Sequence, residues 1–291
     1  MHKIDSKRSK ETFTLELKND LPQLLEYWIN EGLPFTLYQG GKSYKVEFKG
    51  IVYKFLTERI KPQAFVAGNM IKKDINAEQN TVLLSDIRDS INEDDNRYYN
   101  SQPVMPHKLG DAYLVDINSA YLTVLLNYGL ITEKTFKYTN FKCPKRERLV
   151  AVGMLAQRKD IYEFKKGLQI SHTQEIAETR FLFNLCVQDV DDAMQKIAKN
   201  LPSDYLFYWV DGIYLKSKRA AMKAMNILTE LGFKSKLKKL QSMKCFEWGE
   251  YKELSFYEVE QDGSRKEKVF HVPNAKYKSQ LRKEINKLLI N

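Results

Sequence analysis

Two aspartates are the residues of this 291-residue chain best placed by type and spacing to do chemistry. Asp116 closes the apolar run AYLVDI and is followed by NSAY, while Asp211 follows the aromatic-rich run DYLFYWV and precedes IYLK. If both runs are strands and the strands are neighbours, the two carboxylates emerge at one sheet edge. Carboxylates held that close repel unless a cation joins them, and hard divalent ions such as Mg²⁺ or Mn²⁺ take oxygen ligands of this kind. A paired-ion site orients a triphosphate and activates a 3′-hydroxyl. Asp116 and Asp211 are therefore the candidate catalytic and metal-binding residues. Asp262-Gly263 is expected to be a turn and nothing more.

The elements that must position these residues read as strand and helix alternation. AYLVDI (112 to 117) is a buried-type strand, and SAYLTVLLNYGL is a helix capped by Asn118 or Ser119 and closed near Gly129. LVAVGML (149 to 155) reads as a further apolar strand. Thr173, Ile176, Arg180, Phe183, Val187, Val190, Met194 and Ile197 follow spacings of three and four, which predicts a long helix. DYLFYWV (204 to 210) is a strand, Asp211-Gly212 a two-residue hairpin turn, and a helix runs from about Arg219 to Gly232. FKSKLKKL resumes as a basic strand or arm. A hairpin at Asp262-Gly263 and a basic helix, KYKSQLRKEINKLL, close the chain.

Ahead of these, TFTLEL (13 to 18) reads as a strand and Asp20 as the cap of the helix DLPQLLEYWINEGL. PFTLYQGGKSYKVEFKG is a hairpin about Gly40 and Gly41, and IVYKFLTERI with AFVAGNMIKKDI gives one or two short helices. Residues 85 to 110 lose apolar periodicity, gather acids and end with Pro103 and Pro106, as a linker does.

Lys and Arg outnumber Asp and Glu by 47 to 37, and the net charge of +10 favours a polyanionic partner such as nucleic acid. Lys234, Lys236, Lys238, Lys239 and Lys244, interleaved with Phe233, Phe246 and Trp248, suit phosphate contacts beside stacking platforms. Cys143, Cys186 and Cys245 lie far apart with no CxxC spacing, which argues against zinc and against a disulfide framework. No apolar run approaches the ~20 residues of a membrane span, so a cytoplasmic protein with no membrane partner is expected. No Walker A loop, GxSxG, HExxH or GxGxxG occurs.

VDINSAY followed by LTV resembles motif A of the family B DNA polymerases, an aspartate, two residues, serine, one residue and tyrosine, then usually proline. Asp116, Ser119 and Tyr121 match, and Leu122 stands in the place of the proline. FYWVDGIYLKS resembles motif C of that family, with Asp211 at the second, metal-binding aspartate. Phe207, Trp209 and Gly212 replace its tyrosine, first aspartate and serine. The helix ETRFLFNLCVQDVDDAMQKIAKN resembles the palm helix before motif C, and KSKLKKLQSMKCFEW sits where those enzymes carry a lysine-rich segment touching the primer-template. The likeness covers roughly residues 108 to 250.

What the resemblance implies is an α+β chain with a palm-like antiparallel sheet and helices on one face. Residues 108 to 250 would form this palm-like domain, with a small α+β domain over 1 to 100 and a thumb remnant over 251 to 291. Asp116 and Asp211 would bind Mg²⁺ or Mn²⁺ for two-metal addition of dNTPs to DNA, Tyr121 would pack under the sugar, and the backbone after Asp116 would face the triphosphate. Motif B is not found, and Asp211 follows Asp116 by only 95 residues (211 − 116), so the fingers are reduced or missing, and a protein partner supplying fingers or priming is expected. Ser119 and Tyr121, with Arg158, Lys159, Lys165, Lys166 and Arg180, are then the candidate nucleotide ligands. Such a compact polymerase would belong to a phage or mobile element. The alternatives are an inactive polymerase relic acting as a nucleic-acid-binding or assembly module, and a template-independent or priming nucleotidyltransferase.

Overall fold

The computed structural model describes residues 2–3, 12–40, 43–56, 61–91, 108–248, 251–259 and 263–272. The chain is α+β and divides into two compact units, each assembled from separate stretches of sequence. The linker expected at 85 to 110 is helical up to Ser90 and a strand from Lys108, while residues 92–107, Gly41, Asp262 and the basic C-terminal helix lie outside the described residues.

Among the described residues, the first unit takes those up to Phe65 and those from Gly153 to Arg180. Its sheet has the order β1 (His2–Lys3), β2 (Thr12–Glu16), β5 (Ile51–Leu56), β4 (Ser43–Phe48), β3 (Phe35–Gly40), β7 (Arg158–Lys165), β8 (Leu168–Ile176). β2 and β5 run parallel and the other pairs antiparallel. Helix α1 (Leu17–Asn30) buries Leu21, Leu25 and Trp28 in one core with Phe35, Leu37, Val46, Phe55 and Phe164. The helix starts before Asp20, so the expected cap lies within it. Ile51–Leu56 is a strand where a helix was expected, because Val52 and Phe55 are drawn into the sheet by its pairing with β4.

The β7–β8 hairpin departs most from the expected pattern. Thr173 and Ile176 lie on β8, and the long helix starts only at Arg180. Lys166 and Gly167 form the two-residue connection, both with positive φ (53° and 75°), the conformation a tight hairpin turn demands. A Cβ on Gly167 would stand 2.8 Å from the Ile29 carbonyl oxygen, so only glycine lets this turn dock on the end of α1.

The second unit takes residues 66–152 and 181–275. Its six-stranded antiparallel sheet has the order β13 (Arg265–Val272), β12 (Tyr251–Val259), β11 (Ser235–Trp248), β6 (Lys108–Ile117), β10 (Gly212–Leu215), β9 (Tyr205–Trp209). Setting aside the helices and the β7–β8 hairpin that intervene after β6, α7 (Arg180–Asn200) leads into β9 and α8 (Lys218–Glu230) leads from β10 into β11, so β6, β9, β10 and β11 with these two helices have a β-α-β-β-α-β order. β12 and β13, in the stretch read as a basic hairpin and possible thumb remnant, extend this sheet. The unit also holds most of α2 (Pro62–Ile75), α3 (Thr81–Ser90), α4 (Ala120–Asn127), α5 (Glu133–Lys142) and α6 (Lys145–Gly153) up to Val152.

Residues 149–153 close α6, and 154–156 form a 3₁₀ turn, so the strand expected at LVAVGML is helical. An apolar run of that length fits a buried strand and a buried helix equally, and the Pro144 start followed by KRER favours the helix. On α7 the buried stripe is Phe181, Leu182, Leu185, Cys186, Val190, Met194 and Ile197. Tyr208 Oη on β9 donates to the buried Asp191 on α7 at 2.6 Å, which fixes helix to strand. The sheet's other face carries Leu114, Phe207, Tyr214 and Phe256, with Phe207 and Tyr214 stacked at 4.1 Å. Among the described residues, no helix is long and apolar enough to cross a membrane.

Candidate functional site

Asp116 and Asp211 meet at one end of this second sheet. β6 and β10 pair antiparallel with Asp116 opposite Gly212, and the Ile117 amide donates to the Asp211 carbonyl at 2.9 Å. The cross-strand row reads Lys236, Asp116, Gly212, Trp209 from β11 to β9. The turn between β9 and β10 is Val210-Asp211, one residue earlier than the expected Asp211-Gly212. Val210 has φ of 54°, a left-handed conformation that a β-branched residue adopts only under strain. That strained turn places Asp211 beside Asp116.

The electrostatics reflect the crowding. Burial, then the nearby Asp116 carboxylate, push the Asp211 carboxyl up to about 6, against the opposing pull of Lys145 and Lys236. Lys236 Nζ lies 2.9 Å from Asp116 Oδ2. A Cβ on Gly212 would stand 3.0 Å from Leu114 Cδ1, closer than ordinary contact, so glycine fits this position on the strand beside Asp116. Two carboxylates beside each other, one held well above its ordinary range, form a donor set that fits a hard divalent cation.

The loop after Asp116 is fixed by a polar clamp. Ser119 caps α4 by position but takes a left-handed conformation (φ 51°) and makes no side-chain capping bond. Its hydroxyl instead donates to Asn140 Oδ1 on α5 at 2.7 Å. Arg148 on α6 donates to the same Asn140 Oδ1, to the Asn140 carbonyl at 3.1 Å and to Ser119 Oγ at 3.4 Å. Tyr121 packs edge-on against Phe183 at 5.3 Å. Asn140, Lys145 and Arg148 were not singled out in the sequence, where only LVAVGML just after them was read, as a strand.

The expected nucleotide-binding cations are distributed differently. Arg158, Lys159, Lys165 and Lys166 belong to the β7–β8 hairpin of the seven-stranded sheet, not to the sheet bearing the aspartates. Arg158 pairs with the buried Asp160 at 3.3 Å, while Lys159 pairs with Glu175 at 2.8 Å and lies over the Tyr38 ring. Arg180 opens α7.

On β11 the lysines are engaged: Lys236 with Asp116, Lys238 with Glu258 at 3.0 Å and Lys239 with Asp111 at 2.9 Å. Lys234 is exposed just before the strand, and Lys244 lies opposite Lys108 and Ser255. Phe233 is buried and offers no stacking platform, because it closes the turn after α8 against the core. The side chains of Phe246 and Trp248 lie outside the described residues. Among known proteins, no family model, no curated protein and no solved structure matches this chain.

Proposed function

We propose that this chain is a compact family B-like DNA polymerase of phage or mobile-element type, adding deoxynucleotides to a primer end with Mg²⁺ or Mn²⁺. The observation that carries the reading is the pairing of β6 with β10, which brings Asp116 beside Asp211 in the turn that opens β10. In the reaction the primer 3′-oxygen forms a bond to the α-phosphorus, the bond from that phosphorus to the β-phosphate oxygen breaks, and pyrophosphate leaves. The hydroxyl proton passes to water. Asp116 and Asp211 would hold a divalent cation, which would supply positive charge to the transferring phosphate. Lys145, close enough to lower the Asp211 pKa, is a cation for the triphosphate, and Arg148 holds the loop after Asp116 in place.

The test is extension of a labelled primer on a template with each dNTP, for the wild type, Asp116→Asn and Asp211→Asn. Extension is expected in the wild type alone, with DNA affinity similar in all three; incorporation retained by either variant would sink the proposal. A second reading, a DNA-binding module without catalysis, is favoured by the Lys236 ammonium already on Asp116. It takes over if the wild type binds DNA with a steep salt dependence and extends nothing.

A further inference from the structure

The first turn of α6 carries two cations beside the aspartates, and among the described residues neither has a carboxylate in ion-pair contact. Lys145 opens the helix, is exposed and pulls on the Asp211 carboxyl. Arg148 follows one turn later, so the two side chains share a face of the helix, with Cβ atoms about 5 to 6 Å apart. The lysines of β11 differ in this respect, because each of Lys236, Lys238 and Lys239 already has an acidic partner.

Arg148 carries more than its clamp needs. Its three acceptors, Ser119 Oγ, Asn140 Oδ1 and the Asn140 carbonyl, are all uncharged, and Nη1 alone donates to them. A neutral amide could donate to the same oxygens. The guanidinium instead brings a full charge and a second edge, Nε with Nη2, that has no hydrogen-bond partner among the described residues. A half-buried cation with neutral partners and an open planar fork of donors fits an anion, and phosphate above all. Because Nη1 is tied to Ser119 and Asn140, that fork is held beside the loop that follows Asp116.

A polyphosphate lying along this face of α6 meets Lys145 at the end near Asp211 and Arg148 at the other. We infer that Arg148 binds the terminal phosphate of a nucleoside triphosphate, so that the site selects triphosphates over diphosphates. The inference rests on the proposed polymerase reading, which makes a nucleotide the anion at this site. The clamp serves the same end, because it keeps the guanidinium at a set distance from Lys145.

The experiment is calorimetric titration of the full-length protein with Mg²⁺-tripolyphosphate and with Mg²⁺-pyrophosphate, without nucleoside or primer. Wild type is expected to bind tripolyphosphate about tenfold more tightly, as one added hydrogen bond to a charged group implies, and Arg148→Met to bind the two alike. Asn140→Ala unties the clamp but keeps the guanidinium, and is expected to retain the preference, which a purely structural Arg148 would lose with the clamp. Arg148→Gln replaces the methionine variant if circular dichroism shows that the latter fails to fold. A wild type that binds neither anion or both alike, an Arg148 variant that keeps the preference, or an Asn140→Ala variant that loses it overturns the inference. Primer extension on the same preparations separates the two failures. A tripolyphosphate preference without extension leaves Arg148 as a phosphate ligand and overturns the polymerase reading, whereas extension by a wild type without the preference does the reverse.

Discussion

At the scale of single residues, Asp211 sets a conflict between stability and chemistry. Its carboxyl titrates near 6 in the folded chain against an ordinary value of 3.8, raised by burial and by Asp116. Between those values the folded state binds more protons than the unfolded state, so stability falls as pH rises from about 4 to about 6 and stays low above. At neutral pH the ionised Asp211 thus costs the fold about 1 to 3 kcal/mol. Asp211→Asn removes that cost while removing a proposed metal ligand. It should raise the melting temperature at pH 7 by several degrees and give little gain at pH 4, read by thermal melts across that range. A variant no more stable than wild type at pH 7 would mean that the carboxylate is well solvated.

At the scale of elements, the site is a junction of three helices with one strand end. Ser119 at the start of α4, Asn140 on α5 and Arg148 on α6 are tied through one amide oxygen, directly after Asp116. Asn140→Ala removes the shared acceptor and frees α5 and α6 from the loop. Primer extension should fall by about 10²-fold, as expected when catalytic groups shift by about an ångström, while far-UV circular dichroism stays unchanged. Extension at the wild-type rate would show the clamp to be structural only. Much of this junction was hidden in the sequence, and the reasons are physical. The strand ends at Asp116 and Asp211 were legible because β-branched and aromatic residues mark a strand locally. The clamp was not, because it joins residues 21 and 29 positions from Ser119 and leaves no periodic trace. The β7–β8 hairpin was obscured because Thr173 and Ile176 happen to continue the spacing of α7 backwards, while the better signal, Lys166-Gly167 between two alternating runs, was local and went unused.

At the scale of the whole molecule, the chain enters the first unit, leaves it for the second and returns through the β7–β8 hairpin before completing the second. The ends of that excursion lie close together: the Ala177 amide donates to the Gln157 carbonyl at 2.8 Å, and Thr179 Oγ1 donates to the Leu155 carbonyl at 3.1 Å. A fragment of residues 66–275 keeps the hairpin but removes β3, which pairs along β7 and whose Phe35 stacks on Phe164 at 4.6 Å. Such a fragment exposes an unpaired strand edge and an apolar face, and aggregation is the expected result. Replacing residues 157–177 by a short Gly/Ser linker removes the exposed hairpin without stretching the chain, since closing a short loop between nearby ends costs little. Every residue of the aspartate site and of its clamp remains, because Asp116, Asn140, Lys145, Arg148, Asp211 and Lys236 all lie in the second unit. The excised 66–275 fragment should therefore melt cooperatively as a monomer and keep the Mn²⁺-dependent rise in melting temperature that ligand linkage predicts for the full chain. If it is soluble and cooperative but Mn²⁺ no longer raises its melting temperature, Asp116 with Asp211 is not sufficient to hold the ion.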